Sequence, residues 1–267
     1  MATTVQQQAD LEMNPAAWFH VLGVRVDAVQ IPDVVKQVLS WVEDRSVCRY
    51  ISVANTHVVM EAQEDPVFGE SIKSADLCVP DGMPLIWCGR FFGHSLPRRV
   101  YGPELMATIC RETASRGARH YFYGGTGQTL DQLVACLRQS CPGIQISGAY
   151  SPPFRPLTQK EDSEAIEKIN RSFPDIVWVG LGCPKQERWM YDHRNRLKAA
   201  VLIGVGQAFD ILSHRKKQAP SWMQEHGLEW LFRLVQEPKR TWRRYLAYNP
   251  KFIYFLFLQF LGIRKFD

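Results

Sequence analysis

A chain of 267 residues, 46% hydrophobic and 22% charged, can bury a full core and has neither a disordered nor a fibrous composition. A formal net charge of +5 is too small to indicate nucleic-acid binding, and its excess gathers at the C-terminus. Seven scattered cysteines without a CxxC pair argue against a disulfide framework or structural zinc and fit a reducing cytosol, and without a basic-then-apolar start or an apolar run of about 18 residues neither a signal peptide nor a transmembrane helix is expected.

Residues 1–15 are expected to form a disordered leader. From "VLGVRVDAV" (21–29) the chain alternates strand-like and helix-like runs. "IPDVVKQVLSWVEDR" has the spacing of an amphipathic helix, "CRYISVAN" reads as a strand, "THVVMEAQEDPVFGESIKSA" as one helix, and "DLCVP" as a strand ending in the Asp81-Gly82 turn before "MPLIWCGRFFG". Then come "HYFYGG" (strand), "QTLDQLVACLRQSCP" (helix), "IQISGAY" (strand), "EDSEAIEKINRSFP" (helix), "DIVWVGLG" (strand), "KQERWMYDHRNRL" (helix) and "AAVLIGVG" (strand). This alternation predicts an α/β fold over residues 16–212: a doubly wound, mostly parallel, Rossmann-like sheet with helices on both faces. Residues 213–267 lose the strand pattern, gain Trp, Arg and Lys, and end in "FIYFLFLQFLGI"; they are read as a helical appendage.

In open α/β sheets ligands bind beyond the carboxyl ends of the strands. Those ends read "VAN", "PDG", "YGG", "GLGCPKQ" and "GVGQAFD", and the candidate site residues follow from them. Asp81 is either a turn residue or a carboxylate at the crevice mouth able to take a proton from a hydroxyl, with Gly82 beside it. Asn55 is either a helix cap or a substrate-orienting amide. Gly124 and Gly125 open a helix, as a phosphate site or as a tight turn; the third glycine of a GxGxxG would fall at Leu130, which breaks that fingerprint. Gly182, Lys185, Gln186 and Glu187 lie in a glycine-spaced turn and helix start with more polar side chains than a connection needs, either a ligand-contacting loop or a solvated helix start with Lys185 and Glu187 as surface charges. Arg233, Arg240 and Arg243 share a face if their helix is continuous, although Pro238 interrupts it; they suit phosphate oxygens, or form a solvated basic face. Trp230, Trp242, Tyr245 and Tyr248 beside them favour a membrane-facing element. No D-x-D and no His cluster with metal-ligand spacing occurs, so no metal and no cofactor is expected, and His57 and His193 are read as structural.

Taken in order, "VANTHVVMEAQEDPVFGESIKSADLCVPDGMPLIW", "RRVYGPEL", "YFYGGTGQTL", "PDIVWVGLGCPKQERWM", "GVGQAFD" and "APSWMQEHGLEWLFRLVQEPKRTWRRY" resemble the WecG/TagA/CpsF family of glycosyltransferases over roughly residues 20–250. The resemblance implies inverting, metal-independent transfer of a hexose from a UDP-sugar to a polyprenyl-diphosphate-linked saccharide. UDP-N-acetylmannosamine, UDP-glucose and related UDP-hexoses or uronic acids stay open as donors. It implies Asp81 as general base, Asn55, Arg99 and Gln186 as pocket residues, and Arg233, Arg240 and Arg243 as arginines that close over the donor diphosphate. It also implies work at the inner face of the cytoplasmic membrane in cell-surface polysaccharide synthesis. The chain departs from teichoic-acid members at Val53, two residues before Asn55, where they carry threonine. A homo-oligomer covering the appendage stays open, as do a nucleotide-dependent oxidoreductase and a non-catalytic membrane scaffold.

Overall fold

The computed structural model describes residues 17–266, the side chains of Arg240 and Arg244 excepted. The leader expected over residues 1–15 lies outside the described residues. The chain opens with a hairpin, β1 (Trp18–Val21) and β2 (Val24–Asp27), turned by Leu22 and Gly23 in the left-handed region and separate from the main sheet. A carboxylate ties it to that sheet: Asp27 accepts a hydrogen bond from the Cys78 amide at 2.8 Å.

The main sheet has six parallel strands in the order β4 (Leu77–Pro80), β3 (Arg49–Ala54), β8 (Val201–Gly204), β7 (Ile176–Gly180), β5 (Arg119–Gly124), β6 (Gln145–Tyr150). The last strand in sequence thus lies near the middle of the sheet, joining β4–β3 to β7–β5–β6. Its neighbours are apolar on both faces because both are covered. Ile176 and Trp178 of β7, with Val201 and Ile203 of β8, pack toward α1 (Ile31–Glu43), α5 (Gly102–Ala114), α6 (Gly127–Ser140) and α9 (Ala208–Leu212). Val177, Val179 and Leu202 pack instead toward α7 (Gln159–Arg171) and α8 (Lys185–His193).

One sequence expectation is corrected. Residues 56–75 form two helices, α2 (Thr56–Glu64) and α3 (Pro66–Lys73). Proline disfavours helical backbone at the residue before it, so Asp65 leaves the helix at φ −128°, ψ 101°. Its amide still closes α2 onto the Glu61 carbonyl, and its carboxylate accepts from the Phe68 amide to start α3. Helices α4 (Met83–Phe91) and α5 fill the stretch between β4 and β5.

After α9 the chain is helical: α10 (Ser221–Glu225), α11 (Glu229–Gln236) and α12 (Pro238–Phe260). Proline at the first position of α12 separates it from α11, so the three candidate arginines are divided between two helices. The long helix docks across α2 and the hairpin. Phe252 is buried in their cluster, the Tyr248 hydroxyl donates to Glu61 and Glu64, and Lys251 pairs with Glu64. Gln259 accepts from the Leu22 amide at 2.8 Å and donates to the His20 carbonyl at 3.0 Å. No described helix is long and apolar enough to cross a membrane.

Candidate active site

The carboxyl ends of β3, β4, β7 and β8 and the helices α10–α12 enclose a cavity of about 770 Å³. The strand ends form its floor and the C-terminal helices its roof. Asp81 directly follows β4, and its amide donates to the Ala54 carbonyl at 2.8 Å, which fixes the backbone that carries the carboxylate. At Gly82 the β3 end passes close: a Cβ there would lie 3.3 Å from the Asn55 Cβ, and one of the two would have to shift slightly. The glycine therefore lets the Asn55 and Asp81 loops touch.

Asn55 is a helix cap that also lines the cavity. Its Oδ1 accepts from the amides of His57 (2.9 Å) and Val58 (3.3 Å), capping α2, while the residue also lines the cavity. The cap turns the amide oxygen to the backbone and leaves the NH₂ as the group that can donate to a ligand.

Around Asp81 stands a charged cluster. Arg99 Nη1 donates to the Asp81 carbonyl at 3.2 Å and lies 3.7 Å from its carboxylate Oδ1, an ion-pair contact too long for a hydrogen bond. Arg99 Nη2 lies 2.6 Å from Glu229 at the start of α11 and also donates to Gln224 of α10 at 2.8 Å. Glu229 pairs in turn with Arg233, one turn along its own helix. Burial pushes the Asp81 pKa up to about 6, against the pull of Arg99 and with a further push from Glu229. Burial acts upward on Glu229 as well, but Arg233 and Arg99 together hold its pKa below the usual value. Near neutral pH, Asp81 is thus a carboxylate of unusually high basicity, and Glu229 is fully ionised.

The β7 and β8 ends supply the other wall. Gly182, at φ +78°, donates its amide to Gln186 Oε1 at 3.1 Å, and Gln186 Nε2 donates to Glu187 at 2.8 Å. Gln186 lies over the end of β8, where a Cβ on Gly204 would come within 3.0 Å of its amide nitrogen. Glu187 is fully buried beneath it, and burial raises its pKa to about 7. Val53 adds an apolar side chain to the wall.

Asp81, Asn55, Gly82, Arg99, Gly182, Gln186 and Arg233 meet in this one cavity. Lys185 does not: it is exposed at the start of α8, outside the lining. Gly124 and Gly125 lie outside it too, and close packing accounts for them. A Cβ on Gly124 would lie 2.6 Å from the backbone of Gly180, and the Gly125 amide donates to the Gly180 carbonyl at 3.2 Å. Arg243 is exposed, its guanidinium over the Trp242 ring at 5.3 Å, and the Arg240 side chain lies outside the described residues.

The aromatics of the appendage also differ from expectation. Trp230, Tyr245 and Tyr248 face the cavity, and Trp230 meets Tyr245 edge-on at 5.9 Å. Trp242 alone of the four lies outside the cavity lining, and both it and Trp230 are partly open to solvent. His193 is structural, held between the Trp189 carbonyl and Asp162, whereas His57 lines the cavity and stacks on Tyr248 at 5.3 Å. Glu187, read from the sequence as part of the polar α8 start or as a surface charge, is buried and lines the cavity. Sequence reasoning missed Tyr101 and Glu229, which also line it. The available signals were an acid in the first turn of α11 and an aromatic residue just before the Gly-Pro start of α5.

A parallel α/β sheet with an unusually basic aspartate at its carboxyl edge, and with Arg99 and Arg233 beside it on Glu229, is an arrangement in which a hydroxyl can be deprotonated next to cationic groups. The model of the glycosyl transferase WecG/TagA/CpsF family matches residues 19–265. The chain belongs to that family. It is 32% identical to the N-acetylglucosaminyldiphosphoundecaprenol N-acetyl-beta-D-mannosaminyltransferase of Bacillus spizizenii over 210 residues, 79% of each chain. Against the enzyme of the same name from Bacillus subtilis the identity is 30% over 209 residues, 78% of this chain and 79% of that one. Against that of Staphylococcus aureus it is 26% over 244 residues, 91% and 93%.

Proposed function

We propose that the chain transfers a sugar, with inversion, from a UDP-sugar to a polyprenyl-diphosphate-linked saccharide at the inner face of the cytoplasmic membrane, in building a cell-surface polysaccharide. The observation that carries this reading is Asp81: a carboxylate with a pKa of about 6, beside Arg99, in a cavity roofed by the helices α10–α12. The relatives, named for a diphosphoundecaprenol-linked acceptor and an N-acetylmannosaminyl donor group, support the same chemistry.

In the proposed step the acceptor hydroxyl attacks the anomeric carbon from the face opposite the leaving group. Asp81 takes the hydroxyl proton as the new C–O bond forms, which supplies about 10²–10⁴-fold. The bond from the anomeric carbon to the diphosphate breaks, and its electron pair leaves with UDP. Arg99 and Arg233 stabilise the charge that gathers there. Among the described residues no group of three or more His, Cys, Asp and Glu is placed to hold a metal ion, and the arginines are assigned the neutralising role. Val53 offers no hydroxyl, so the donor stays among UDP-N-acetylmannosamine, UDP-glucose and their relatives.

The acceptor's lipid must remain in the bilayer. Leu246, Ile253 and Phe257 recur along one side of α12 and are 60–66% exposed, and Trp87 and Phe91 of α4 extend the apolar surface. Such a surface with basic neighbours suits the interface of an anionic membrane.

The test is transfer by full-length protein given a panel of UDP-sugars, a short-chain polyprenyl-diphosphate-linked sugar and excess EDTA, beside Asp81→Asn. Product from one donor, surviving EDTA and lost in the variant, is expected. Absence of both product and donor binding would overturn the reading.

A further inference from the structure

The cavity holds a hydroxyl that no group among the described residues answers. Tyr101 precedes α5, is 3% exposed, and lines the cavity. Its phenolic oxygen is buried without a hydrogen-bond partner, and the same is true of Asp81 Oδ1. Native proteins rarely leave such groups unpaired, and those that remain call for a ligand or another specific cause. The Tyr101 ring lies beneath the Arg99 guanidinium at 4.1 Å from Cζ. Asp81, Glu229 and Arg233 line the same cavity, close enough for their charges to act on its hydroxyl. Burial and then the two carboxylates push its pKa upward, so it remains a neutral donor.

The Glu229 carboxylate meanwhile pairs with both arginines. An arriving diphosphate is the more highly charged competitor for that position. We propose that Tyr101 is a substrate-binding residue: when a diphosphate replaces Glu229 on Arg99 and Arg233, the tyrosine hydroxyl donates a hydrogen bond to a phosphate oxygen. The inference rests on the transferase reading above and adds a neutral donor to its two guanidiniums.

Tyr101→Phe keeps the ring under Arg99 and deletes only the hydroxyl. Calorimetric titration of UDP into wild type and variant should show affinity reduced about tenfold in the variant, about 1.4 kcal/mol. Because the hydroxyl has no partner to lose, the unliganded variant should melt no lower than wild type. Equal UDP affinity in the two proteins would overturn the role of Tyr101 and leave the transferase reading standing. A loss seen with a bound UDP-sugar but not with UDP would move the contact to the sugar and overturn the diphosphate assignment. Reduced affinity together with a lowered unliganded melting temperature would make the hydroxyl structural and overturn the proposal. If wild type itself bound no UDP, both readings would fall.

Discussion

Arg99 Nη2 stands 2.6 Å from the carboxylate of Glu229, so a residue of the sheet's carboxyl edge is joined to the first residue of α11. Both side chains are only 12% exposed, and such a pair leaves a costly orphan if one partner is removed. A double-mutant cycle with Arg99→Met and Glu229→Gln, read by chemical denaturation, should therefore give a coupling energy of about 1–3 kcal/mol. Simple additivity would show that the pair does not hold the roof to the floor.

Asp81→Asn should lower kcat by about 10²–10⁴-fold while UDP affinity stays within a factor of a few. In the wild type, log kcat should fall with unit slope as pH drops below about 6, the pKa that burial gives Asp81. A flat profile between pH 5 and 7 with chemistry rate-limiting would remove Asp81 as the base.

The same burial has an effect on stability of opposite sense to that of an ion-paired carboxylate. Asp81 and Glu187 have folded pKa values of about 6 and about 7, above the ordinary 3.8 and 4.5. The native state then binds more protons than the unfolded chain across roughly pH 4–7, so their contribution falls as pH rises through that window. Asp81→Asn and Glu187→Gln should each stabilise the protein at pH 7.5, by on the order of 1–3 kcal/mol, and flatten the pH dependence of Tm. Lower stability of both variants at that pH would contradict this.

Two glycines separate packing from function. Gly124→Ala puts a Cβ 2.6 Å from the Gly180 backbone at a φ of +124°, and should cost at least about 2 kcal/mol although Gly124 does not line the cavity. Gly82→Ala meets Asn55 at 3.3 Å with an ordinary φ; it should cost under about 1 kcal/mol yet reduce turnover by displacing Asp81 from Asn55. Denaturation and kinetics of the pair check the inversion of the two effects.

Leu246→Asp with Phe257→Asp, both exposed and outside the cavity lining, should abolish co-sedimentation with anionic vesicles, leave UDP binding unchanged, and slow transfer to a bilayer-held acceptor far more than to a short soluble one. Unaltered vesicle binding would assign that face of α12 to something other than a membrane.

The sheet was legible because strands buried on both faces are continuous apolar runs, and the cavity lining was legible where it follows strand ends: Asp81, Asn55, Gln186. Neighbours in sequence were harder to separate. Lys185 and Gln186 differ by about 100° around α8, and it is Gln186, with Glu187, that lies on the side turned to the cavity while Lys185 points to solvent. Glycines at strand ends look alike whether they admit a ligand or another strand, which is why Gly124 and Gly125 joined the candidates. Glu229 reads as an ordinary acid at a helix start until the fold brings Arg99 beside it. The helix break at Asp65-Pro66 was written in the sequence, but the apolar spacing on both sides concealed it.

The position of β8 has a consequence for how the protein is made. Chains emerge N-terminal end first, so β3 and β4 are available early and β5, β6 and β7 soon after, as two separate edges. They become one sheet only when residues 201–204 pass between them, and the cavity roof follows later still. Until then the growing chain displays two unpaired strand edges with apolar faces, an aggregation hazard that lasts through most of translation. A nascent chain stalled before residue 201 should therefore recruit holdase chaperones, and one stalled after the sheet has closed should release them while the cavity still lacks its roof.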